Sequence, residues 1–165
     1  MELKKESMQI LKEKSRAKSQ ITFDEDFNVP DAKPDAGRLI QNKGRIIMDD
    51  VRLTDGKGIL TGNLQVDILY VGEERGIVSS LTAKLPFEET LNLKDIINGD
   101  KMCLKWEIED LTIRLIHSRK LNIKALVTFC ATVDETEQIR LPVALDAEEV
   151  SVRKKNSPFS GTYRT

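Results

Sequence analysis

The sequence predicts an all-β fold, an antiparallel β-sandwich or barrel-like domain with at most one or two short helical turns. Three observations predict it. Apolar and polar residues alternate over long stretches, which puts each set on one face of a strand. Turn signals recur at intervals of roughly ten residues, the spacing of an antiparallel sandwich or barrel. No long helical period competes. The organising stretch is Lys101 to Val133. Met102, Leu104, Trp106 and Ile108 alternate with Cys103, Lys105, Glu107 and Glu109. At Glu109-Asp110 the apolar phase slips by one, to Leu111, Ile113 and Leu115. After the polar patch His117-Ser118-Arg119-Lys120 it resumes as Leu121, Ile123, Ala125, Val127, Phe129, Ala131 and Val133. This is read as two or three long antiparallel strands with a solvated outer face.

The chain divides into an N-terminal arm or first strand (1–18), a β-domain (19–153) and an exposed C-terminal tail (154–165). In the arm, Met8 and Ile10 fit a short strand, and Leu3, Met8 and Leu11 fit a helix about as well. The strand is preferred, because Gln20-Ile21-Thr22-Phe23 can pair with it through a polar turn at Lys14 to Lys18. Pro30 and Pro34 bias the residues before them to extended backbone and end a strand there. Asp35 to Gln41 can add one helical turn with Asp35 as N-cap. Ile47, Val51 and Leu53 are placed on one strand face. Thr54 to Gly58 is a tight turn, because Asp-Gly supplies the positive φ that hairpins need. Leu60, Leu64, Val66, Ile68 and Tyr70 make the next inner face. Gly72 to Gly76 turns again. Ile77, Leu81, Ala83, Leu85 and Phe87 follow, and Pro86 marks an edge strand or strand end. A second helical turn is placed near Ile96-Ile97. Asp134 to Gln138 reads as a polar turn, Ile139 to Leu145 as another strand, and Val150-Val152 as the start of one more. The middle of the core is assigned to Trp106, Phe129, Tyr70, Leu64, Val127 and Leu85.

Composition narrows the function classes. At 165 residues the chain can bury a core without a disulfide or metal staple. With 26 basic and 27 acidic residues it has no global field to draw it to nucleic acid or an anionic membrane. Met1 to Lys5 has no apolar run behind it and is not read as a secretory leader. No apolar run reaches the ~18 residues of a membrane span. Cys103 and Cys130 lack zinc-site spacing and are read as reduced thiols, with a disulfide as the alternative if their strands are neighbours.

Catalytic and metal motifs are not found. His117 stands beside Ser118 in a turn, where neighbours point apart, whereas a triad is assembled from distant segments. Asp24, Asp26, Asp31 and Asp35 do not have calcium-loop spacing. No glycine-rich phosphate cradle occurs. Catalytic, metal and cofactor-binding residues are therefore none, and the chain is not read as an enzyme. What remains is an outer strand face with Lys105, Glu107 and Glu109 on it. There Arg114, Ile116, Lys124, Leu126 and Thr128 form the candidate interaction surface. Ile116 and Leu126 are apolar where polarity is expected.

Five stretches carry a resemblance. They are Gln20 to Asp35 (QITFDEDFNVPDAKPD), Val66 to Val71, Leu85 to Glu89, Lys105 to Leu111 and Leu115 to Leu121. In order and spacing over roughly residues 1 to 153 the chain resembles the SPOCS-domain family of clostridial sporulation proteins, the N-terminal region of SipL-like coat morphogenetic proteins. The resemblance implies a non-enzymatic structural or interaction module of the spore envelope. Such a module would be a protein-protein adaptor or a self-assembling coat component. The implied partners are a SpoIVA-type coat ATPase or the chain itself. The implied location is the mother-cell cytoplasm at the forespore surface, or the outer spore layers. Longer relatives usually end in a LysM module, with which SpoIVA binding is associated, so partner-binding residues are not carried over. After Val152 to Lys155 the family-like pattern is lost. The alternative is a small-ligand or carbohydrate-binding sandwich that recognises spore cortex glycans.

Overall fold

A computed structural model describes residues 2–97 and 99–146. Six strands follow in chain order: β1 (Glu2–Asn28), β2 (Ala36–Thr54), β3 (Lys57–Gly72), β4 (Val78–Asn92), β5 (Lys101–His117) and β6 (Lys120–Asp146). They form two three-stranded sheets, ordered β1-β6-β5 and β2-β3-β4. The second sheet is an antiparallel meander of consecutive hairpins. In the first, β5 and β6 form an antiparallel hairpin and β1 joins the far side of β6. The molecule divides into two units, Lys12–Glu135 and a unit made of Met1–Leu11 with Thr136–Thr165. The Val150-Val152 strand and the 154–165 tail lie outside the described residues.

In the Lys12–Glu135 unit the two sheets pack their apolar faces together. The central strands supply most of that core. Leu60, Leu64, Val66, Ile68 and Tyr70 of β3 are buried, as are all seven inward residues of β6 from Leu121 to Val133. Burying each large apolar side chain contributes roughly 1.5–3 kcal/mol. Phe87 of β4 joins the sheets. Its ring lies 6.2 Å from Phe23 of β1 at a steep angle and 5.3 Å from Phe129 of β6. Pro86 sits in β4, which is an edge strand of its sheet, where a missing N–H costs least.

The phase slip at Glu109-Asp110 is a β-bulge. Ile108 pairs with Val127 and Asp110 with Leu126, so Glu109 is the extra residue. An extra residue resets the alternation, and Ile108 and Leu111 both turn toward the core. The turns behave as their residues require. Asp55-Gly56 closes the β2-β3 hairpin with Gly56 at φ 72°. Ser118-Arg119 closes the β5-β6 hairpin without a positive φ. A register shift at Ile116 accompanies this turn.

Several expectations are corrected. There is no turn at Lys14–Lys18 and none at Asp134–Gln138, because β1 and β6 each run 27 residues without a break. Neither segment holds the Gly, Pro or Asn that a tight turn exploits. In β1, Ser15, Ala17, Ser19, Ile21 and Phe23 keep a period of two with small inward residues. No helix occurs among the described residues, so neither expected helical turn forms. In β2 it is Ile46 that is buried, and Ile47 is exposed. A register shift between Met48 and Asp50 separates Ile47 from Val51 and Leu53. Ile77 is exposed just before β4 begins. Trp106 faces Phe129 across the β5-β6 pair but is 44% exposed. It keeps the inward phase, yet among the described residues β5 is an edge strand with no neighbour beyond it.

Gly62, on central β3 opposite Met48 and Phe87, marks the closest approach. A Cβ there would be driven into the Ile47 carbonyl oxygen and against Phe87 Cζ at 3.0 Å. The first obstacle is backbone held in a sheet, so it cannot swing aside. Gly62→Ala is expected to lower the unfolding free energy by about 2–3 kcal/mol, read from urea unfolding midpoints.

The Met1–Leu11 and Thr136–Thr165 unit is described through the outer parts of β1 and β6. Nearly every described residue there is exposed, with Ile10 and Ile139 half-buried. Leu3, Met8, Leu11, Leu141 and Val143 are all exposed.

Candidate interaction surface

The most elaborate polar site binds the chain to itself. The connection from β1 to β2, Val29 to Asp35, wraps around Arg119 of the β5-β6 turn. The Arg119 guanidinium donates to the carbonyls of Lys33 (2.8 Å) and Val29 (2.9 Å). It also donates to Asp35 at 2.9 Å and to Asp31 at 3.5 Å. The Val29 and Ala36 N–H groups donate to the carbonyls of Arg119 and Ser118, both at 2.8 Å. From the other sheet, the buried Tyr70 hydroxyl donates to the Pro34 carbonyl at 2.9 Å. A planar guanidinium with several donors suits such a task. One feature of the sequence points to it. An arginine in a two-residue turn has no conformational reason to be there.

His117 and Ser118 lie in the same turn. The Arg119 N–H donates to His117 Nδ1 at 3.2 Å, so the histidine caps its own hairpin. The four aspartates do not converge on one point. Asp31 and Asp35 hold Arg119. Asp24 and Asp26 each accept from the Asn122 amide at 2.9 Å and sit beside Lys124 and Lys120. Cys103 pairs with Thr132, and Cys130 with Lys105. The thiols are thus two positions out of register, a diagonal of about 7–8 Å between Cα atoms, at or beyond disulfide reach. Both are free.

Asp24, Asp26, Asp67 and Asp100 make stability depend on pH. Asp24 and Asp26 are held below the ordinary value of 3.8, first by the Asn122 amide. Asp100 is lowered by the Ile97 N–H and then by Lys14, and Asp67 by the Thr82 hydroxyl. A depressed folded pKa favours the ionised form in the native state. The contribution is complete above the unfolded value and disappears as pH falls through the folded one. Thermal midpoints should therefore drop below about pH 4. Asp100→Asn should give a lower midpoint at pH 7 and a shallower acid limb.

The five residues of the outer face share one side of the β5-β6 pair but not one environment. Arg114 and Ile116 are exposed, with Ile116 pushed out at the register shift. Lys124 pairs with Asp24 at 3.4 Å. Leu126 is half-buried. Thr128 is buried, accepting from the Gln20 amide at 3.1 Å and donating to Glu109. The bulge delivers that carboxylate to Thr128. A shallow depression of about 310 Å³ lies between Lys43, Asp67 and Thr82. Its carboxylate is already engaged by Thr82, Gln65 and Arg45.

The two sides of the Lys12–Glu135 unit differ. On one, β1 is tied to β4 and the loop after it. Ser19 donates to Glu89 at 2.6 Å, the Lys94 N–H donates to Ser15 at 2.8 Å, and Lys14 bonds Asp100 at 2.9 Å. On the other side, β2 and β5 approach at Gly44, where a Cβ would meet Leu111 and Ile108 at 3.0 and 3.1 Å. Over both strands only Ala36 and Ile46 are buried. Ile40, Ile47, Val51, Trp106 and Ile116 are exposed there.

The geometry defines a class: a two-sheet antiparallel β domain whose main polar contacts clamp its own chain. Residues 35–116, about half of the chain, match the family described as SipL, SPOCS domain. The chain belongs to the SPOCS-domain family. The match spans β2 to β4 and all of β5 but its last residue. This family is tied to sporulation and is not known as one of enzymes. No curated protein and no solved structure matches the chain. Among the described residues no helix is long and apolar enough to cross a membrane.

Proposed function

We propose that the chain is a non-enzymatic interaction module of the spore envelope, acting as a protein-protein adaptor or as a self-assembling coat component. The family match over residues 35–116 carries this reading. The surface supports it: polar clusters serve the chain's own fold, while the β2 and β5 side presents apolar residues that no described element covers. Its place is the mother-cell cytoplasm at the forespore surface or the outer spore layers. The partner is a SpoIVA-type coat ATPase or a second copy. Arg114, Ile116 and Lys124 remain candidates for contact, with Leu126 and Thr128 behind them.

A fluorescent fusion followed through sporulation tests the role. Signal at the forespore or on released spores is expected, and diffuse signal throughout would overturn it. Light scattering behind size exclusion, alone and mixed with the coat ATPase, separates adaptor from building block. The exposure of Trp106 favours a second reading, a domain that binds cortex glycans. Quenching of its fluorescence by soluble cortex fragments would support that reading.

A further inference from the structure

We infer that β5 is a self-pairing edge, and that two copies of this chain join their sheets antiparallel about Trp106. Each of the other edges is obstructed. Side chains of β1 are bonded to β4 and the loop after it, and β4 carries Pro86. The β2 edge keeps register only from Gln41 to Met48, between shifts at Leu39/Gln41 and Met48/Asp50. The charges it carries there, Lys43 and Arg45, are both positive, so that pairing with its own copy about Gly44 would set like charges opposite. Bulges and proline are how sheet edges avoid pairing. Strand β5 keeps register from Lys101 to Ile108, before its own shifts at Ile108/Asp110 and Leu115/His117. Strand β2 comes up to it at Ile108 and Leu111, by Gly44, and among the described residues its sheet neighbour lies on one side only.

The sequence of that free segment is complementary to itself. In an antiparallel pair centred on Trp106, residue 105 of one copy stands opposite residue 107 of the other. Lys105 then faces Glu107 twice, on the solvent side. Both are exposed, and among the described residues neither forms an ion pair. On the inner side Trp106 meets Trp106, and half-exposed Leu104 meets Ile108. Opposite charges and aromatic pairs directly across strands stabilise a sheet, and like charges destabilise it. The pairing would cover a tryptophan that the fold leaves 44% exposed. It would also join two three-stranded sheets into one of six strands.

The test is sedimentation equilibrium on the full chain over a concentration series, with three variants. Wild type should show a reversible dimer. Lys105→Glu and Glu107→Lys each turn two attractions into two repulsions, and each should weaken association about tenfold or more. The double variant K105E/E107K restores the complementary pattern and should return within about threefold of wild type. Trp106 is the only tryptophan, so its emission should shift to the blue as the dimer forms. A wild-type monomer at every concentration overturns the inference. So does a dimer indifferent to the single reversals, which would place the contact on another surface, or a double variant that stays monomeric while folded. The inference deepens the self-assembling form of the proposed function. A chain that reaches the spore yet never dimerises would remove the pairing and leave the envelope role standing.

Discussion

Phe129→Ala is expected to lower the unfolding free energy by about 4 kcal/mol. The ring sits on β6, the central strand of its sheet, and is fully buried. It lies 5.3 Å from Phe87 across the sheet interface and opposite Trp106 within its own sheet. Truncation removes the transfer free energy of the ring and leaves a cavity between two sheets. Hydrogen-bonded strands limit how far those walls can collapse. Phe129→Leu keeps most of the volume and should cost about 1–2 kcal/mol. Urea unfolding followed by circular dichroism measures both. A loss below about 1 kcal/mol for the alanine variant would mean that the sheets are not packed about this ring.

Arg119→Ala should cost about 3 kcal/mol, and Arg119→Lys should recover little of it. The side chain is 31% exposed, so its ion pairs with Asp31 and Asp35 contribute modestly. The larger part comes from the Val29 and Lys33 carbonyls, which lose a charged donor. Hydrogen bonds to charged groups contribute roughly 1.5–3 kcal/mol each and do not add fully. A lysine offers one ammonium and cannot reach two carbonyls and two carboxylates at once. Unfolding midpoints of the two variants at pH 7 decide the matter. Equal stability of the lysine variant and wild type would reduce the clamp to a simple charge effect.

How much of this was legible depended on the residue. The bulge at Glu109 was readable because alternation has a period of two, and one extra residue must reset it. The inner faces of β3 and β6 were readable for the same reason. The two false turns, at Lys14–Lys18 and Asp134–Gln138, came from treating charge as a turn signal. Charge only says that a face is wet, whereas a tight turn needs a residue suited to its dihedrals. The small residues Ser15, Ala17 and Ser19 marked an inward face that a search for large apolar side chains passed over. The register shift near Met48 leaves no comparable trace, so the alternation points to Ile47 where the fold buries Ile46.

The candidate surface was less legible than the fold. Phase places Arg114, Ile116, Lys124, Leu126 and Thr128 on one outer face, and the structure keeps them there. Phase does not say which strand lies at the edge, nor which side chain folds over which neighbour. Thr128 is buried because Gln20 of β1 and the bulged Glu109 close over it, two contacts from distant parts of the chain. Trp106 is exposed for the complementary reason, since no described strand continues the sheet beyond β5. The clamp on Arg119 joins residues more than 80 apart in the chain, a separation that no local pattern encodes.

The placement of β1 beside β6 has a consequence for how the chain folds. The sheet β2-β3-β4 is built from neighbours and can form from contiguous chain, through short loops. The other sheet unites β1 with β6, the first and last of the described strands. Closing so large a loop costs entropy before any contact repays it, which makes such pairings slow. On the ribosome β1 emerges well before β6 and must wait until β6 has been made. During that interval Phe23 and the inward row of β1 are without their partners, held only by what the growing meander offers. Of the six described strands, β1 is made before the others and finds its sheet partner last.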